Sequence, residues 1–541
     1  IRGNSPSEID HVTSGWANIS YSNIQGGYTG TGNIDSDPLF VNASGGDYHL
    51  TSASPCIDAA HPDLDGDGNT WESDVDDQDP DGTRMDMGTY YYPQYNGPEW
   101  YVSTDGSDAD NDGSVEQPFA SIQRAINSAN DWDSIFVAAG TYFENINISG
   151  STVTITSIDG PESTIIDGGQ NGRVVTFDNP NDQDAISYIK RLTVRNGSWG
   201  SGAGIYIYYG ELHMQDLIIE GNQATNYGGG IACIDANSTI ENCIINQNQA
   251  IQQGAGLYVA DNSDVTCISV DITNNSTSQD CFTNQGSQGA GAIIKNSSIT
   301  FNNSHIAGNS SPDAGGGIFI SGNSQASFSL TSFVGNNAAE VGGGTNTAGG
   351  GIGAVFDSNA DFENCTFFNN YAISGGVGGF YSANSSVNIS NSVLWENNGE
   401  WFETSGQLLG SANYDVTFSD VQGGYEGDGN INANPAFCNA SNGDLTLADD
   451  SPCVGSGELG ANMGAFDIGC TEAFNNYSLS FDGVDDYVIV NDVDNLGIST
   501  GSISLWMNSH STNQEKMLIR KQLSYFIGFG SDGKIRAGLN A

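Results

Sequence analysis

The sequence predicts an all-β solenoid, a coil of short strands and turns, on the basis of three observations. A triplet of small residues followed by an apolar residue recurs seven times between residues 202 and 380. An asparagine after a short apolar run recurs in phase with the triplet, and the apolar residues alternate without a helical period. Two independent marks in phase over seven turns indicate stacked repeats. The last glycines of the triplets stand at 204, 230, 256, 291, 317, 351 and 379, and the asparagines are Asn222, Asn248, Asn275, Asn309, Asn336, Asn370 and Asn397.

These repeats resemble the rungs of the right-handed parallel β-helix of the pectate-lyase-like superfamily. The pairing of the glycine triplet at 315–317 with Phe333-Val334-Gly335-Asn336 is similar to the repeats of polymorphic outer-membrane proteins. The resemblance covers roughly the middle two thirds of the chain and implies a stack of strand-and-turn rungs. It implies no single function, since lyases, hydrolases and adhesins all use this scaffold.

Length and charge limit the classes of partner. A chain of 541 residues is too long for one ordinary core, so a solenoid with additional modules is the economical interpretation. The net charge of −52 argues against nucleic acid and against an anionic membrane surface as partners. No run of 18 apolar residues occurs, so we expect no membrane insertion. The composition suits an extracellular or bacterial cell-surface protein, and the start at Ile1 without a methionine suggests a fragment.

The nine cysteines include no Cys-x-x-Cys pair and therefore no recognisable metal pattern. Cys243 and Cys365 each stand five residues before a rung asparagine, and we predict that both are small buried core residues. Cys438, Cys453 and Cys470 cluster near the end of the solenoid. One disulfide is plausible there, and the sequence leaves its pairing open.

Residues 1–94 are predicted to be the C-terminal end of a preceding β-helix, because a closing segment occurs twice in the chain. Residues 19–28, 37–40 and 54–56 match residues 416–425, 434–437 and 451–453, all at an offset of 397. A gapless match of this length is hard to produce by chance. We therefore expect both copies to end a coil of the same kind.

The first copy contains an insertion at 61–82 that the second copy lacks. Acidic residues occupy positions 1, 3, 5 and 12 of a loop with glycine at position 6, which is the spacing of a calcium site. The loop resembles those of dockerin and thrombospondin type 3 modules more than an EF-hand, because position 12 is an aspartate. A solvated acidic loop is the alternative. We expect one structural calcium ion with the ligands Asp63, Asp65, Asp67, Asn69 and Asp74.

Residues 95–99 are predicted to be a linker, and 100–470 a complete β-helix with an N-terminal capping helix. Between 121 and 130 the apolar residues fall on one helical face, and Ser121 is a suitable N-cap. An amphipathic helix there would cover the open end of the coil. A second acidic stretch at 108–113 has no ligand at position 12 and is predicted to be a turn. We expect about ten coils in a rod on the order of 50 Å long.

Residues 471–475 are predicted to be a second linker, followed by a truncated domain at 476–541. The stretch Leu479-Ser480-Phe481-Asp482-Gly483, with a later strand that carries Trp506, resembles the start of a laminin-G-like, concanavalin-type jelly roll. Residue 541 precedes the point at which such a sandwich would close. The resemblance therefore implies a partial jelly roll.

A polysaccharide lyase of the pectate-lyase type is one enzymatic alternative. Its chemistry on acidic sugars needs carboxylates that bind calcium and a basic residue on one face of the coil. From 196 to 470 the only basic residue is Lys295, and the preceding Arg195 lies in a stretch common to β-helices of many functions. So much negative charge would also repel a polyuronate. The sequence therefore disfavours a lyase.

A glycoside hydrolase is the other alternative, and Asp235 and Asp261 are its weak catalytic candidates. They lie one rung apart, so their backbones should be roughly 4.8 Å apart, close to the separation in a retaining pair. Both residues begin turns, however, where aspartate commonly supplies a local hydrogen bond. We therefore favour the turn interpretation.

A stripe of aromatic residues supports a binding function. Two residues beyond the last glycine of their triplets stand Tyr206, Tyr258, Phe319 and Tyr381. We predict that they face outward on one sheet, where rings in a row can stack on sugar faces. The alternative is a ladder that steadies neighbouring rungs. We accordingly expect a calcium-stabilised, non-catalytic protein for adhesion or for binding a polysaccharide or cell-surface glycan, with a lyase or glycoside hydrolase as the alternative.

Overall fold

The computed structural model divides the chain into two compact units, Ile1–Asn475 and Asn476–Ala541. It describes residues 1, 3, 9, 18–51, 53–79, 83–92, 97–181, 185–278, 288–338, 353–372, 378–399, 407–471, 516–521, 525–529 and 535–539.

Four parallel sheets run through the first unit and form a β-helix, as the sequence predicts. Each full rung gives one strand to each sheet, and residues at the same place in successive rungs are paired. The twelve-stranded sheet contains Glu99–Val102, Ser134–Val137, Thr154–Ser157, Ile186–Lys190, Glu211–Gln215, Asn237–Glu241, Asp264–Ile268, Ser298–Asn302, Gln325–Ser329, Asn359–Glu363, Ser386–Ser390 and Asn413–Thr417. The eleven-stranded sheet contains Gly140–Tyr142, Thr164–Asp167, Thr193–Arg195, Ile218–Glu220, Ile244–Asn246, Asp271–Thr273, His305–Ala307, Ser332–Val334, Thr366–Phe368, Val393–Trp395 and Asp420–Val421.

The other two long sheets complete the rungs. The ten-stranded sheet contains Ile146–Asn147, Val175–Asp178, Ile205–Tyr208, Ile231–Ile234, Leu257–Ala260, Ala292–Lys295, Ile318–Ser321, Gly353–Phe356, Phe380–Ala383 and Leu408–Gly410. The eight-stranded sheet contains Ser198–Ser201, Gln223–Tyr227, Gln249–Ala250, Ser276–Thr277, Ser310–Ser311, Asn337–Ala338, Tyr371–Ala372 and Asn398–Gly399. Twelve strands at a spacing of roughly 4.8 Å give a stack about 53 Å high, close to the expected length.

The glycine triplets precede the strands of the ten-stranded sheet, and their composition has a geometric cause. The first glycine adopts a left-handed backbone, as at Gly228 with φ +61°, which disfavours a residue with a side chain. The third glycine stacks directly on the next rung, since a Cβ on Gly230 would lie 2.6 Å from the carbonyl oxygen of Gly256. The middle position tolerates alanine, and Ala203 and Ala255 are buried there.

The seven periodic asparagines form a continuous buried ladder, and each is 0% exposed. The Nδ2 of Asn248 donates to the Oδ1 of Asn275 at 3.1 Å and to the backbone oxygen of Ile219 at 2.8 Å. The Oδ1 of Asn248 accepts hydrogen bonds from both the backbone N–H and the Nδ2 of Asn222. Both ends of the amide are therefore satisfied, which a buried polar group requires because an unmade hydrogen bond costs about 1–3 kcal/mol.

The predicted capping helix is present as Ile122–Ser128, with the hydroxyl of Ser121 accepting a hydrogen bond from the N–H of Arg124. Ile122, Ala125 and Ile126 are buried against the first rungs, as the helical periodicity predicts. The carboxylate of Glu144 accepts hydrogen bonds from two further N–H groups in the first turn of the helix. This cap covers the interior of the coil at its first rung.

Each copy of the closing segment forms a short hairpin. The first copy pairs Phe40–Asn42 with Asp47–Leu50 across the 3₁₀ turn Ala43–Gly45. In the second copy, Phe437–Asn439, Asp444–Ala448 and Ile468–Cys470 form a three-stranded sheet, with 3₁₀ turns at Ala440–Asn442 and Glu458–Gly460. A disulfide joins Cys438 to Cys470, which resolves the pairing that the sequence left open, and Cys453 is a buried free thiol.

Among the described residues of the second unit, an antiparallel sheet is formed by Lys516–Lys521, Tyr525–Phe529 and Ile535–Leu539. The residues that carry the laminin-G-like resemblance, among them Phe481 and Trp506, lie outside the described residues. In the part of the chain that the structure describes, no helix is long and apolar enough to cross a membrane.

Candidate functional site

The predicted aromatic stripe lies in one row on the ten-stranded sheet. The strand register aligns Tyr206 with Ala232 and Tyr258, and further along it aligns Ile293 with Phe319. Tyr381 belongs to the same row two strands beyond Phe319. The prediction that these residues share one sheet and one register is therefore confirmed.

The stripe is not exposed along its whole length, because Tyr258 and Phe319 are each only 6% exposed. They belong to a second apolar cluster, outside the main core, that also contains Ala232 and Ile293. The ring of Tyr227, from the neighbouring eight-stranded sheet, stacks on Tyr258 with centroids 4.8 Å apart. Over its middle rungs the stripe is therefore a packed ladder that joins two sheets, the alternative that the sequence left open.

The row is accessible near its first rungs, where Tyr206, Tyr208 and Tyr209 are each partly exposed. The rings of Tyr208 and Tyr209 lie with centroids 4.2 Å apart, and their hydroxyls are 3.2 Å apart. The guanidinium carbon of Arg173 lies 3.5 Å from the centroid of the Tyr206 ring, and its Nε donates to the oxygen of Ser201. We call Arg173, Tyr206, Tyr208 and Tyr209 the tyrosine patch.

Two tyrosines of the tyrosine patch have raised pKa values. The hydrogen bond with Tyr209 raises the pKa of Tyr208 to about 12, with smaller contributions from burial and nearby negative charge. Burial raises the pKa of Tyr206 and lowers the pKa of Arg173. A guanidinium is charged in proteins, so the patch presents π-faces, phenol hydroxyls and one cation. Such a set suits the apolar face and the hydroxyl groups of a sugar.

Sequence reasoning found Tyr206 and missed its three neighbours in the patch. The run Tyr206-Ile207-Tyr208-Tyr209 is a usable signal, because alternation places Tyr206 and Tyr208 on the same outer face. Tyr209 follows the strand in a left-handed backbone conformation with φ +58°, which turns the chain at that point. Arg173 comes from the preceding rung, and nothing in the local sequence points to its stacking on Tyr206.

Asp235 and Asp261 occupy turns in the structure. Both have left-handed backbones, with φ +48° and +57°, and they follow Ile231–Ile234 and Leu257–Ala260 directly. The Oδ1 of Asp235 accepts a hydrogen bond from the Nδ2 of Asn262 at 3.3 Å. This arrangement agrees with the turn interpretation, and the catalytic alternative stays an untested prediction.

The basic residue considered for lyase chemistry has a structural partner. The Nε of Arg195 donates to the Oδ2 of Asp167 at 2.9 Å, and Asn196 donates to the same oxygen. Burial alone would raise the pKa of Asp167, but the hydrogen bonds from Gly169, Arg195 and Asn196 outweigh it and lower the pKa. Arg195 is therefore engaged in joining neighbouring rungs.

The predicted calcium ligands form two overlapping groups in the inserted loop. The carboxylates of Asp65, Asp67 and Asp74 lie together, as the sequence predicts, with their oxygens within 4.8 Å of one another. A second group with the same spacing joins Asp63 and Asp65 to Asp77, which lies beyond the twelve residues of the predicted loop. The Nδ2 of Asn69 donates a hydrogen bond to the Oδ2 of Asp67 at 2.9 Å, so the Asn69 amide holds the Asp67 carboxylate in position.

Residues 135–350 match the protein family described as a right-handed beta helix region. The four long sheets between Glu99 and Val421 form a right-handed parallel β-helix. Pectate lyase Pel9A aligns over 70% of this chain and 98% of its own at 14% identity, with a TM-score of 0.37. XylC in complex with xylose aligns over 65% and 88% at 10% identity (TM-score 0.32), and a pectin methylesterase from Yersinia enterocolitica over 45% and 79% at 14% identity (TM-score 0.26). No curated protein matches the chain.

Proposed function

We propose that the β-helix is a non-catalytic, extracellular module that binds a neutral polysaccharide or cell-surface glycan through the tyrosine patch. The observation that carries this proposal is the group of partly exposed rings beside one guanidinium, with Arg173 against Tyr206 at 3.5 Å. Aromatic faces stack on the apolar face of a sugar, and the phenol hydroxyls offer hydrogen bonds to its edge. The net charge of −52 favours a neutral ligand over a polyuronate.

Two further observations support an extracellular, adhesive role. The disulfide between Cys438 and Cys470 is a covalent bond of the kind that persists in oxidising compartments. The coil itself offers a long surface of polar strands, which suits attachment along an extended chain of sugars. Adhesion therefore fits the same surface as glycan binding.

The test is a binding measurement with the full chain on a panel of neutral glucans, xylans and galactans, with polygalacturonate as the acidic comparison. We expect the double variant Tyr206→Ala/Tyr208→Ala to weaken binding about thirtyfold, since each stacked ring contributes on the order of 1 kcal/mol. Tyr371→Ala, an exposed tyrosine of the eight-stranded sheet, is the matched control and should leave affinity unchanged.

Equal losses in the double variant and the control would contradict binding at the tyrosine patch. The hydrolase alternative has its own readout, the release of reducing ends from the same glycans. Release that disappears in Asp235→Asn/Asp261→Asn would replace the binding proposal with catalysis at the stacked aspartates.

A further inference from the structure

Asp77 is a buried carboxylate whose second oxygen has no hydrogen-bond partner. It ends the 3₁₀ turn Val75–Asp77 and is 0% exposed. Its Oδ1 accepts a hydrogen bond from the N–H of Leu64, whereas its Oδ2 is without a partner among the described residues. None of the ion pairs formed by those residues includes Asp77. Burying a carboxylate with an unpaired oxygen is strongly unfavourable, so this position calls for a cation.

Two other carboxylates converge on Asp77 from the acidic loop. One oxygen each of Asp63, Asp65 and Asp77 lies within 4.8 Å of the others. Two oxygens bound to the same calcium ion at 2.3–2.6 Å can be at most about 5 Å apart, so this spacing fits one shared ion. Without a cation the three like charges would repel one another in a partly desolvated setting.

The backbone of the loop fixes the position of Asp63. Its two carboxylate oxygens accept hydrogen bonds from the N–H groups of Gly66 at 2.7 Å and Gly68 at 3.2 Å. Both glycines have left-handed backbones, with φ +79° and +96°, which permit the tight turn. The N–H of Trp71 donates to the oxygen of Pro62 at 3.0 Å and closes the base of the loop.

We propose that Asp63, Asp65 and Asp77 bind a calcium ion. Asp77 is the buried ligand of this site, and it lies beyond the loop of residues 63–74 in which the acidic residues alternate. The donors are all carboxylate oxygens, which favour a hard cation, and a site of this kind completes its shell with water and backbone carbonyls. The set differs from the sequence-based one, because Asp67 and Asp74 belong to the more exposed group around Asp65. This site does not depend on glycan binding by the coil.

The decisive experiment measures calcium affinity of the chelator-treated full chain by titration calorimetry. We expect Asp77→Asn to weaken the affinity at least about tenfold, since ligand charge sets the strength of such sites. Asp76→Asn is the matched control, because it removes one negative charge from the exposed residue next to Asp77. Its calcium affinity should stay within about twofold of that of the unmodified chain. Terbium emission can be excited through the tryptophans, which include Trp71 in the loop. Its intensity should rank the variants in the same order as their calcium affinity.

Three outcomes would overturn the proposal. One is the absence of calcium binding by the unmodified chain at millimolar calcium. Another is an equal loss of affinity in Asp77→Asn and Asp76→Asn, which would indicate diffuse charge. The third is a calcium affinity that is lost in Asp74→Asn and retained in Asp63→Asn, which would place the ion in the exposed group of Asp65, Asp67 and Asp74. The last comparison uses two loop carboxylates and remains decisive if circular dichroism shows that Asp77→Asn does not fold.

Discussion

The two closing segments share a local fold and differ in how they are packed. Their hairpins have equivalent registers, Phe40 opposite Leu50 and Phe437 opposite Leu447. The glycine that follows the 3₁₀ turn has φ +84° in the first copy and +82° in the second. The local sequence is therefore sufficient to specify the hairpin, because the same turn residues produce the same backbone in two settings.

Equivalent positions of the two hairpins differ in burial, because burial depends on the rungs on which each hairpin packs. Val41 and Tyr48 are 56% and 50% exposed, whereas their equivalents Cys438 and Leu445 are buried. In the second copy the hairpin packs on Phe368 and Val393 of the eleven-stranded sheet. In the first copy, a cavity of about 610 Å³ adjoins Phe40, Tyr48 and Leu50. The backbone of the hairpin is therefore encoded in the segment, whereas the burial of its side chains depends on the surrounding residues.

One buried residue also distinguishes the copies. In the first copy the Nδ2 of Asn23 donates to the Sγ of Cys56 at 3.1 Å. In the second copy the equivalent pair is Asp420 and Cys453, and the thiol donates to the Oδ2 of Asp420 at 3.3 Å. Burial, opposed by hydrogen bonds from the N–H of Ala433 and from the thiol, raises the pKa of Asp420 to about 6. The exchange of an amide for a carboxyl thus places a titratable group at this position in the second copy alone.

The largest expected difference between the copies comes from the disulfide. The double variant Cys438→Val/Cys470→Ser removes the disulfide. It also places valine at 438, the position that is equivalent to Val41 in the first copy. We expect the free energy of local opening to fall by about 4 kcal/mol, because the bond closes a loop of 32 residues. Native-state hydrogen exchange of residues 437–470 measures this loss. Residues 40–51 are the internal control, and a similar loss there would mean that the disulfide does not act locally.

The next largest difference concerns pH. A folded pKa of about 6, above the ordinary value of 3.8, means that the folded segment holds a proton that the unfolded segment releases. The contribution of Asp420 to stability is therefore fully present below about pH 4 and is lost as the pH rises through 6, by about 3 kcal/mol in total. Asp420→Asn should remove this loss, stabilising the segment at pH 8 and leaving it unchanged at pH 4.

The pH prediction has controls in both copies. Asn23→Asp should introduce the same pH dependence into the first copy, where the wild type has none from this position. Asp428→Asn removes one charge from an exposed residue of the second segment and should leave the slope unchanged. A slope that persists in Asp420→Asn would show that another group titrates, and hydrogen exchange from pH 4 to 8 measures it.

The sequence predicts the repeating features of the fold well, because each rung meets the same constraints. The period locates the asparagine ladder and the buried Cys243 and Cys365. These features depend on neighbours one rung away, whose identity follows from the period. Alternation also places Tyr258 and Phe319 on the outer side of the sheet, but it cannot tell whether an outer side is covered. Their burial arises from packing between two sheets.

The sequence predicts the non-repeating features only where they are local in the chain. Spacing finds Asp63, Asp65, Asp67 and Asp74, since ligands of one loop alternate along the chain. The twelve-residue spacing does not include Asp77, whose carboxylate accepts a hydrogen bond from the N–H of Leu64, 13 residues earlier. The disulfide pairing is likewise decided by the path of the chain between residues 438 and 470. Both contacts join residues that are distant in the sequence and come together only in the folded chain.

The smallest expected difference tests the docking of the second segment directly. Gly88 and Gly464 follow matching methionines, and both have positive φ, +136° and +98°. A Cβ on Gly464 would lie 2.9 Å from the Oγ1 of Thr366 and 3.2 Å from a methyl of Val393, whereas a Cβ on Gly88 would meet no atom within 4 Å. Alanine at either site carries backbone strain of about 1–3 kcal/mol, and only Gly464→Ala adds a steric term of about 1–2 kcal/mol. We therefore expect Gly464→Ala to raise hydrogen exchange in its segment more than Gly88→Ala does in the first, and equal effects would mean that the second hairpin is not tightly docked on the coil.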